Sequence, residues 1–331
     1  MTAPHGNRQW ALALLMAAAV ALPGCDDTSA QPPQAAVQGQ PEQAAFVPVT
    51  VQHKLGTTVI EHAVQRTVAL DMNEVDFLDQ LGVPVAGMPK DFVPQFLARY
   101  KDDPQVADLG SIVQPNLELV HAARPDLILI TSLQANHYQE LSEMAPTIHF
   151  DVDYRDSEAG HINVVRNHLL ALGQVFGKQA LAQEKAMALD AQVDSVRRVT
   201  QDRPERALVV LHNNGAFSSF GVQSRYGFVF KDLGVKPAGP SAETGLHGQP
   251  ISSEFIQQAN PDILYVVDRT AVMEGRPPMD AESMGNPLLR QTNAWKNGRV
   301  VFVDAEAWYV TAASPTSIKL VIDDVLKGYQ R

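Results

Sequence analysis

Cysteine is almost absent: Cys25 is the only one among 331 residues. That excludes an intramolecular disulfide and a paired-cysteine zinc site, so the folded part depends on its apolar cores; an oxidising compartment permits bridges without demanding them. Positive charge is also scarce, with 26 Lys and Arg against 37 Asp and Glu and a formal net charge of −11, which argues against nucleic acid as a partner. The apolar stretch near the start, Trp10 to Leu22, is too short for a membrane-spanning helix, which needs about 20 residues. Missing too are a Gly-rich loop ending in Lys-Ser/Thr, a G-x-S-x-G elbow and an H-E-x-x-H pair, the marks of common phosphate-binding, hydrolase and zinc-protease sites. With 45% hydrophobic and 19% charged residues, the chain is not disordered over most of its length and suffices for two domains, each with its own core.

The start is informative. Arg8 precedes the apolar stretch, and the pair reads as an export signal. The stretch closes in "LPGC", Leu22 to Cys25, which resembles the lipobox of bacterial lipoproteins, where cleavage leaves the cysteine as a lipid-modified N-terminus. Residues 1–24 are then the signal peptide, and 25–46, rich in Pro, Gln and Ala with little to bury, a flexible tether. Removing Arg8 takes the charge to about −12. Asp26 resembles the signal that keeps some lipoproteins on the inner membrane of Gram-negative bacteria.

From 47 to 160 the pattern predicts a first α/β lobe. A hairpin turns through Gly56, followed by a strand at "TVALD", a helix at "MNEVDFLDQLG" and a strand at "VPVAGM". A helix carrying Glu118, the strand "LILIT", a helix at "YQELSEMAP" and the strand "TIHFDV" complete it. Such alternation predicts a mainly parallel sheet with helices on its faces. Residues 161–203 form a helical region in which Ala182, Ala186, Leu189, Val193 and Val196 paint one face of a rod, a single stiff link between lobes. The second lobe, 204–331, repeats the order with "RALVVLHN", the Glu254 helix, "DILYVVD", a helix around "NPLLRQTNAWKNG", "RVVFVD" and a final helix. "NLELVHAARPDLILI" returns there as "SSEFIQQANPDILYV", a Glu seven residues before a Pro-Asp pair in each. Pro-Asp before a strand is also ordinary turn chemistry.

Four stretches of the second lobe carry candidate chemistry: Arg225 in "FGVQSRYG", His247 in "GLHGQP", Arg269 in "VVDR", and Trp308 with Tyr309 in "EAWYVTA". All lie where strands end or in adjacent loops, the edge at which open α/β sheets bind ligands. Ferric iron is hard and prefers anionic oxygen, so a Tyr309 phenolate with imidazole from His247 suits it, while Arg225 and Arg269 suit an anionic ligand. The same residues also admit a purely structural reading, Arg269 capping a strand and Tyr309 packing beside Trp308.

Together the lipobox, the paired lobes and the motifs "SRYG", "GLHGQPISSEFI", "NPDILYVVDR" and "EAWYV" resemble the periplasmic siderophore-binding lipoproteins of ABC importers, of the CeuE and FatB type. The resemblance implies a class III periplasmic binding protein: two Rossmann-like α/β lobes joined by a long backbone helix. It implies capture of a ferric catecholate siderophore, a tetradentate bis-catecholate favoured, with no cofactor and no catalysis. By the same resemblance His247 and Tyr309 complete the iron's coordination, Arg225 and Arg269 contact catecholate oxygens, and Glu118 and Glu254 dock on the two subunits of a permease that works with an ATPase. A third arginine of that set would fall near Leu133, where this chain has none; Lys90 in "GMPKDF" is a candidate substitute. The expectation is a periplasmic monomer held to the inner membrane through Cys25. Two readings stand beside it: the same fold holding haem, a hydroxamate siderophore or a corrinoid, and a periplasmic metal-dependent hydrolase using His247.

Overall fold

The structure is a computed structural model and describes residues 46–154, 160–239 and 248–330. Cys25, the export segment, most of the tether and His247 lie outside the described residues.

The strands are β1 Val49–His53, β2 Gly56–Ile60, β3 Thr67–Ala69, β4 Val85–Met88, β5 Ala107–Asp108, β6 Leu127–Thr131, β7 Thr147–Phe150, β8 Arg206–Asn213, β9 Ala216–Phe220, β10 Lys236–Pro237, β11 Gln249–Ile251, β12 Ile263–Asp268 and β13 Val300–Phe302. The α-helices are α1 Met72–Gln80, α2 Leu117–Ala122, α3 Tyr138–Met144, α4 His161–Val175, α5 Gln179–Thr200, α6 Gly227–Lys231, α7 Ser253–Ala259, α8 Arg269–Glu274, α9 Ala281–Met284, α10 Asn293–Lys296 and α11 Pro315–Lys327.

In the first lobe β5-β4-β3-β6-β7 form a wholly parallel sheet, with β1 and β2 a separate antiparallel hairpin. Every residue of β6 is buried, as expected of a strand covered on both faces. The second sheet runs β11-β9-β8-β12-β13 with β10 also on β8; it is mainly parallel, as expected, but carries an antiparallel edge that was not. Strands β8, β12 and β13 are parallel, whereas β9 folds back antiparallel on β8 and β11 follows antiparallel on β9. The cause is local: Asn214 and Gly215 both take positive φ, 48° and 84°, forming the two-residue hairpin turn that Asn-Gly favours. The helix expected around Asn293 is broken, because Thr292 is extended and serves as N-cap of the short α10.

The lobes do not have separate cores. One apolar cluster runs from Met72, Phe77 and Leu129 through Leu172 and Val196 to Val209, Trp308 and Val321, and each lobe adds one satellite cluster on the outer side of its sheet. Helix α5 buries the predicted face, Ala182, Ala186, Leu189, Val193 and Val196, and its 22 residues span about 33 Å. Gly173 lets α4 approach it closely, since a Cβ there would stand 2.4 Å from that of Ala182. Nor is the strut the only tie. Thr316, at the start of α11, donates through its amide and hydroxyl to Asp76 of α1 at 2.8 and 2.6 Å, and the Ala313 amide donates to Asn73 Oδ1 at 3.0 Å. On α4, His168 donates to the buried Glu74 at 2.9 Å. A polar seam therefore joins the lobes through α1.

Candidate functional site

The carboxyl ends of both sheets open on one cleft of about 710 Å³, within the usual size of small-molecule sites. The first lobe lines it with residues that follow β3, β6 and β7, among them Asp71, Leu133 and Asp151; the second supplies Arg225, Arg269 and Tyr309.

Three of the predicted side chains meet there. Tyr309 lies in a π-helical turn, Glu306–Thr311, that ends at Ala312 with φ 64°, the kind of irregular helix that recurs at functional sites. Its neighbour Trp308 is fully buried, stacked on Tyr265 and edge-on to Tyr226 with its indole N–H on Asp324 at 3.0 Å; burying Trp308 turns Tyr309 outward to the cleft. Arg269 Nε donates to the Tyr309 hydroxyl at 2.7 Å and Nη1 to Asn213 Oδ1 at 3.0 Å. Arg225 donates to the Tyr309 carbonyl at 2.8 Å, and both guanidiniums sit 5.4 Å from the Tyr309 ring centre, within cation–π range. The phenol oxygen is thus held in a field of two cations.

Local structure explains the placement. In "SRYG", a Cβ at Gly227 would lie 2.2 Å from the Val222 carbonyl, so only glycine permits the turn that projects Arg225. Arg269 opens α8, whose N-cap is the buried Asp268. Burial opposes that carboxylate's charge, yet bonds from the Met279 amide, His212 and the Ala271 amide hold it below the usual range. Nearby His161 donates through Nε2 to the Ala312 carbonyl at 2.8 Å and stacks on Phe228, and burial lowers its pKa to about 4.

The first-lobe wall has a different character. Asp71, buried at the end of β3, accepts from Asn73 and from the Thr131 hydroxyl at 3.1 Å, and burial raises its pKa. Lys54 bridges Asp151 and Asp153 at 3.0 and 3.1 Å, and Ser132 donates to Asp151. Leu133 lines the cleft where the resemblance would place a third arginine. Lys90 does not join the site: it is not among the lining residues, and its ammonium donates to the Asp103 carbonyl at 3.0 Å, while Phe92 two positions on does reach the cleft. Lys54, Asp71, Asp151 and Asp153 were not anticipated. The signal for the three acids was legible: "TVALD" and "FDVD" set them at strand carboxyl ends, where the rule applied to the second lobe also holds.

Glu118 and Glu254 are both exposed and both stand in the first turn of a helix, behind the N-caps Asn116 and Ser252. Each helix leads by a tight turn into a parallel strand and so begins at the edge of the sheet on which the cleft opens. The Pro-Asp pairs have twin roles. Asp126 accepts from the Gln65 and Arg66 amides at 2.8 Å each, and Asp262 from the Arg206 amide at 3.0 Å, each fixing the start of the neighbouring strand.

The periplasmic binding protein family matches residues 68–307. The chain is 59% identical over 320 residues to the ferric-anguibactin-binding protein FatB of Vibrio anguillarum, covering 97% of each. It is 33% identical to the petrobactin-binding protein YclQ of Bacillus subtilis, covering 86% of this chain and 89% of the relative. Among solved structures it superposes on the siderophore-binding protein BauB, bound to two molecules of acinetobactin and ferric iron, with TM-score 0.82 and 64% identity over 86% of this chain and 99% of that one. It is likewise similar to VctP, a periplasmic catecholate-siderophore-binding protein of Vibrio cholerae, at TM-score 0.79 and 31% identity over 85% and 99%.

Proposed function

The chain belongs to the periplasmic binding protein family, and from that premise we propose that it is the substrate-binding component of an ABC importer, carrying a ferric catecholate-type siderophore in the cleft. The observation that carries this reading is the meeting of Arg225, Arg269 and Tyr309 at the carboxyl edge of the sheets. Two guanidiniums pair with anionic chelate oxygens, and the phenol oxygen is a hard donor suited to ferric iron. His247 is the second donor in this proposal. With two protein donors, a tetradentate bis-catecholate leaves the two iron sites they would fill. The protein returns its cargo unchanged; it binds rather than catalyses.

Glu118 and Glu254 are proposed as the permease contacts, one per lobe, each pairing with arginine on one subunit of the permease dimer. The body acts as a monomer on the periplasmic side, tied to the inner membrane through a lipid on Cys25. Among the described residues no helix is long and apolar enough to cross a membrane. Reversing either glutamate to lysine is expected to abolish uptake while leaving siderophore affinity unchanged, measured by iron uptake in cells and by titration.

The test of the main reading is a titration with a ferric bis-catecholate, following tryptophan quenching and circular dichroism in the visible charge-transfer band. Saturable quenching with an induced band of one hand places the iron in a chiral protein site. Silence with this chelate, against a response to haem, a hydroxamate complex or a corrinoid, keeps the importer and reassigns the cargo.

A further inference from the structure

Among the described residues, the charges that line the cleft balance. Among the described residues its cations are Lys54, Arg225 and Arg269 and its carboxylates Asp71, Asp151 and Asp153, equal in number, and Lys54 is already bound to two of the three acids. His161 adds nothing, being neutral at physiological pH. Its rim is also apolar. Of the eight large apolar side chains left exposed among the described residues, three line this cleft: Val113 at 61%, Leu133 at 44% and Met273 at 43%. They come from both lobes, so the apolar surface faces itself across the opening. Phe92 joins them with φ 51°, a backbone conformation costly for a bulky residue and typical of sites where a side chain must be presented.

Exposed apolar surface concentrated on a concave site marks what the site binds. A highly anionic chelate entering here would give up its hydration against a wall whose charges already cancel, and that desolvation would not be repaid. A chelate of low charge with flat unsaturated rings would instead bury those rings on the rim and keep its few anionic oxygens for Arg225 and Arg269. We infer that the cleft selects neutral or monoanionic ferric chelates with an exposed ring face, and that Leu133 and Met273 set this preference by placing methyl groups where a cation would admit higher charge. The inference rests on the siderophore reading of the site and narrows it to one class of cargo.

Two probes with identical iron coordination separate charge from ligation: a tetradentate ferric bis-catecholate, which is monoanionic, and its ring-sulfonated counterpart, which carries additional negative charge. Both are titrated into the full chain in detergent at physiological ionic strength, read by tryptophan quenching. The expected result is a preference of at least about tenfold for the unsulfonated complex, narrowed to within about threefold by Leu133→Arg, mainly through tighter binding of the sulfonated one. Met273→Arg, on the opposite wall, moves the ratio the same way and guards against a folding defect in the first variant. Equal affinity of the wild type for both complexes overturns the inference and leaves the siderophore function standing. Binding of neither, with a response to haem or a corrinoid, removes both. An unchanged ratio in both arginine variants, with the preference present, shows that these side chains do not set it and overturns that assignment.

Discussion

Asp126 in the first lobe and Asp262 in the second hold the same place at the start of their sheets, each fixing the amide of an arginine, Arg66 and Arg206, that opens the adjacent strand. The registers agree: Thr67 pairs with Leu127 as Ala207 pairs with Ile263. Five or six residues later, at the other end of these strands, the likeness is gone. Strand β6 ends in Thr131, followed by Ser132 and Leu133, a hydroxyl pair and an apolar side chain, whereas β12 ends in Asp268 followed by Arg269. The lobes share what makes a parallel strand pair and differ in what meets a ligand. Because amino-end anchors and carboxyl-end contacts are more than ten ångströms apart along a strand of five residues or more, about 3.3 Å each, one set can change without disturbing the other.

The sharpest way to break this comparison is to remove the ligand-facing charge from each lobe in turn. Arg225→Ala or Arg269→Ala, in the second lobe, is expected to weaken a ferric bis-catecholate by about 100-fold, the range of a charge-assisted bond lost in a partly desolvated site. Asp151→Asn, in the first, is expected to act in the opposite direction, tightening the same anionic complex about threefold by removing one of the two carboxylates that neutralise Lys54. Titration of the three variants decides; the same sign in both lobes would remove the division of labour. Tyr309→Phe comes next, with a loss of about tenfold for a tetradentate chelate and little for a hexadentate one, whose iron needs no protein donor.

Within the first lobe, protons are linked to folding in both directions. On the first-lobe sheet and hairpin, His149 has its pKa lowered to about 4 and His53 is lowered as well, burial being the main cause in each; both His149 ring nitrogens are buried without a hydrogen-bond partner. For a histidine held below its unfolded value of 6.5, the neutral ring is favoured in the fold, so this stability is complete above 6.5 and is lost as pH falls towards about 4. The buried carboxylates at the start of α1, its N-cap Asp71 with Glu74 and Asp76, are shifted upward by burial and act with the opposite sign, their contribution being present at low pH and lost as pH rises through their folded values. Denaturant titrations from pH 7 down to 4 are expected to show a decline that His149→Phe reduces; an unchanged slope in that variant would assign the acid sensitivity elsewhere.

Much of the fold was legible because parallel strands buried on both faces announce themselves as apolar runs, α5 carries a clear apolar face, and α1 and α11 carry N-caps at Asp71 and Ser314. The β8–β9 hairpin was missed although "NNG" spelled its turn, since "RALVVLHN" reads equally well as a strand leading to a crossover. The continuous core and the seam from Asp76 to Thr316 were not legible at all: they join residues 240 positions apart, and no local pattern encodes which lobe surfaces meet. At the site, Arg225, Arg269 and Tyr309 could be found from strand-end chemistry. Lys54 could not, because it lies in a hairpin turn whose distance from the cleft depends on where β1 and β7 lie in space.

The smallest predicted effect tests the shared half of the comparison. Asp126→Asn and Asp262→Asn each keep the shape of the side chain and remove its charge, so each is expected to destabilise the protein by about 1 kcal/mol, as for one weakened hydrogen-bond set. The costs should not be identical in origin. Asp126 serves two backbone amides, whereas Asp262 serves one amide and the Asn293 side-chain amide at 3.0 Å. Asn293→Ala should therefore lessen the cost of Asp262→Asn and leave that of Asp126→Asn untouched, a pairwise coupling that denaturant unfolding of the double variants measures. If Asp126→Asn and Asp262→Asn also leave chelate affinity unchanged, the repeated Pro-Asp pair is a folding device used twice, and the divergence at the opposite ends of the same strands is where the binding preference of this chain is written.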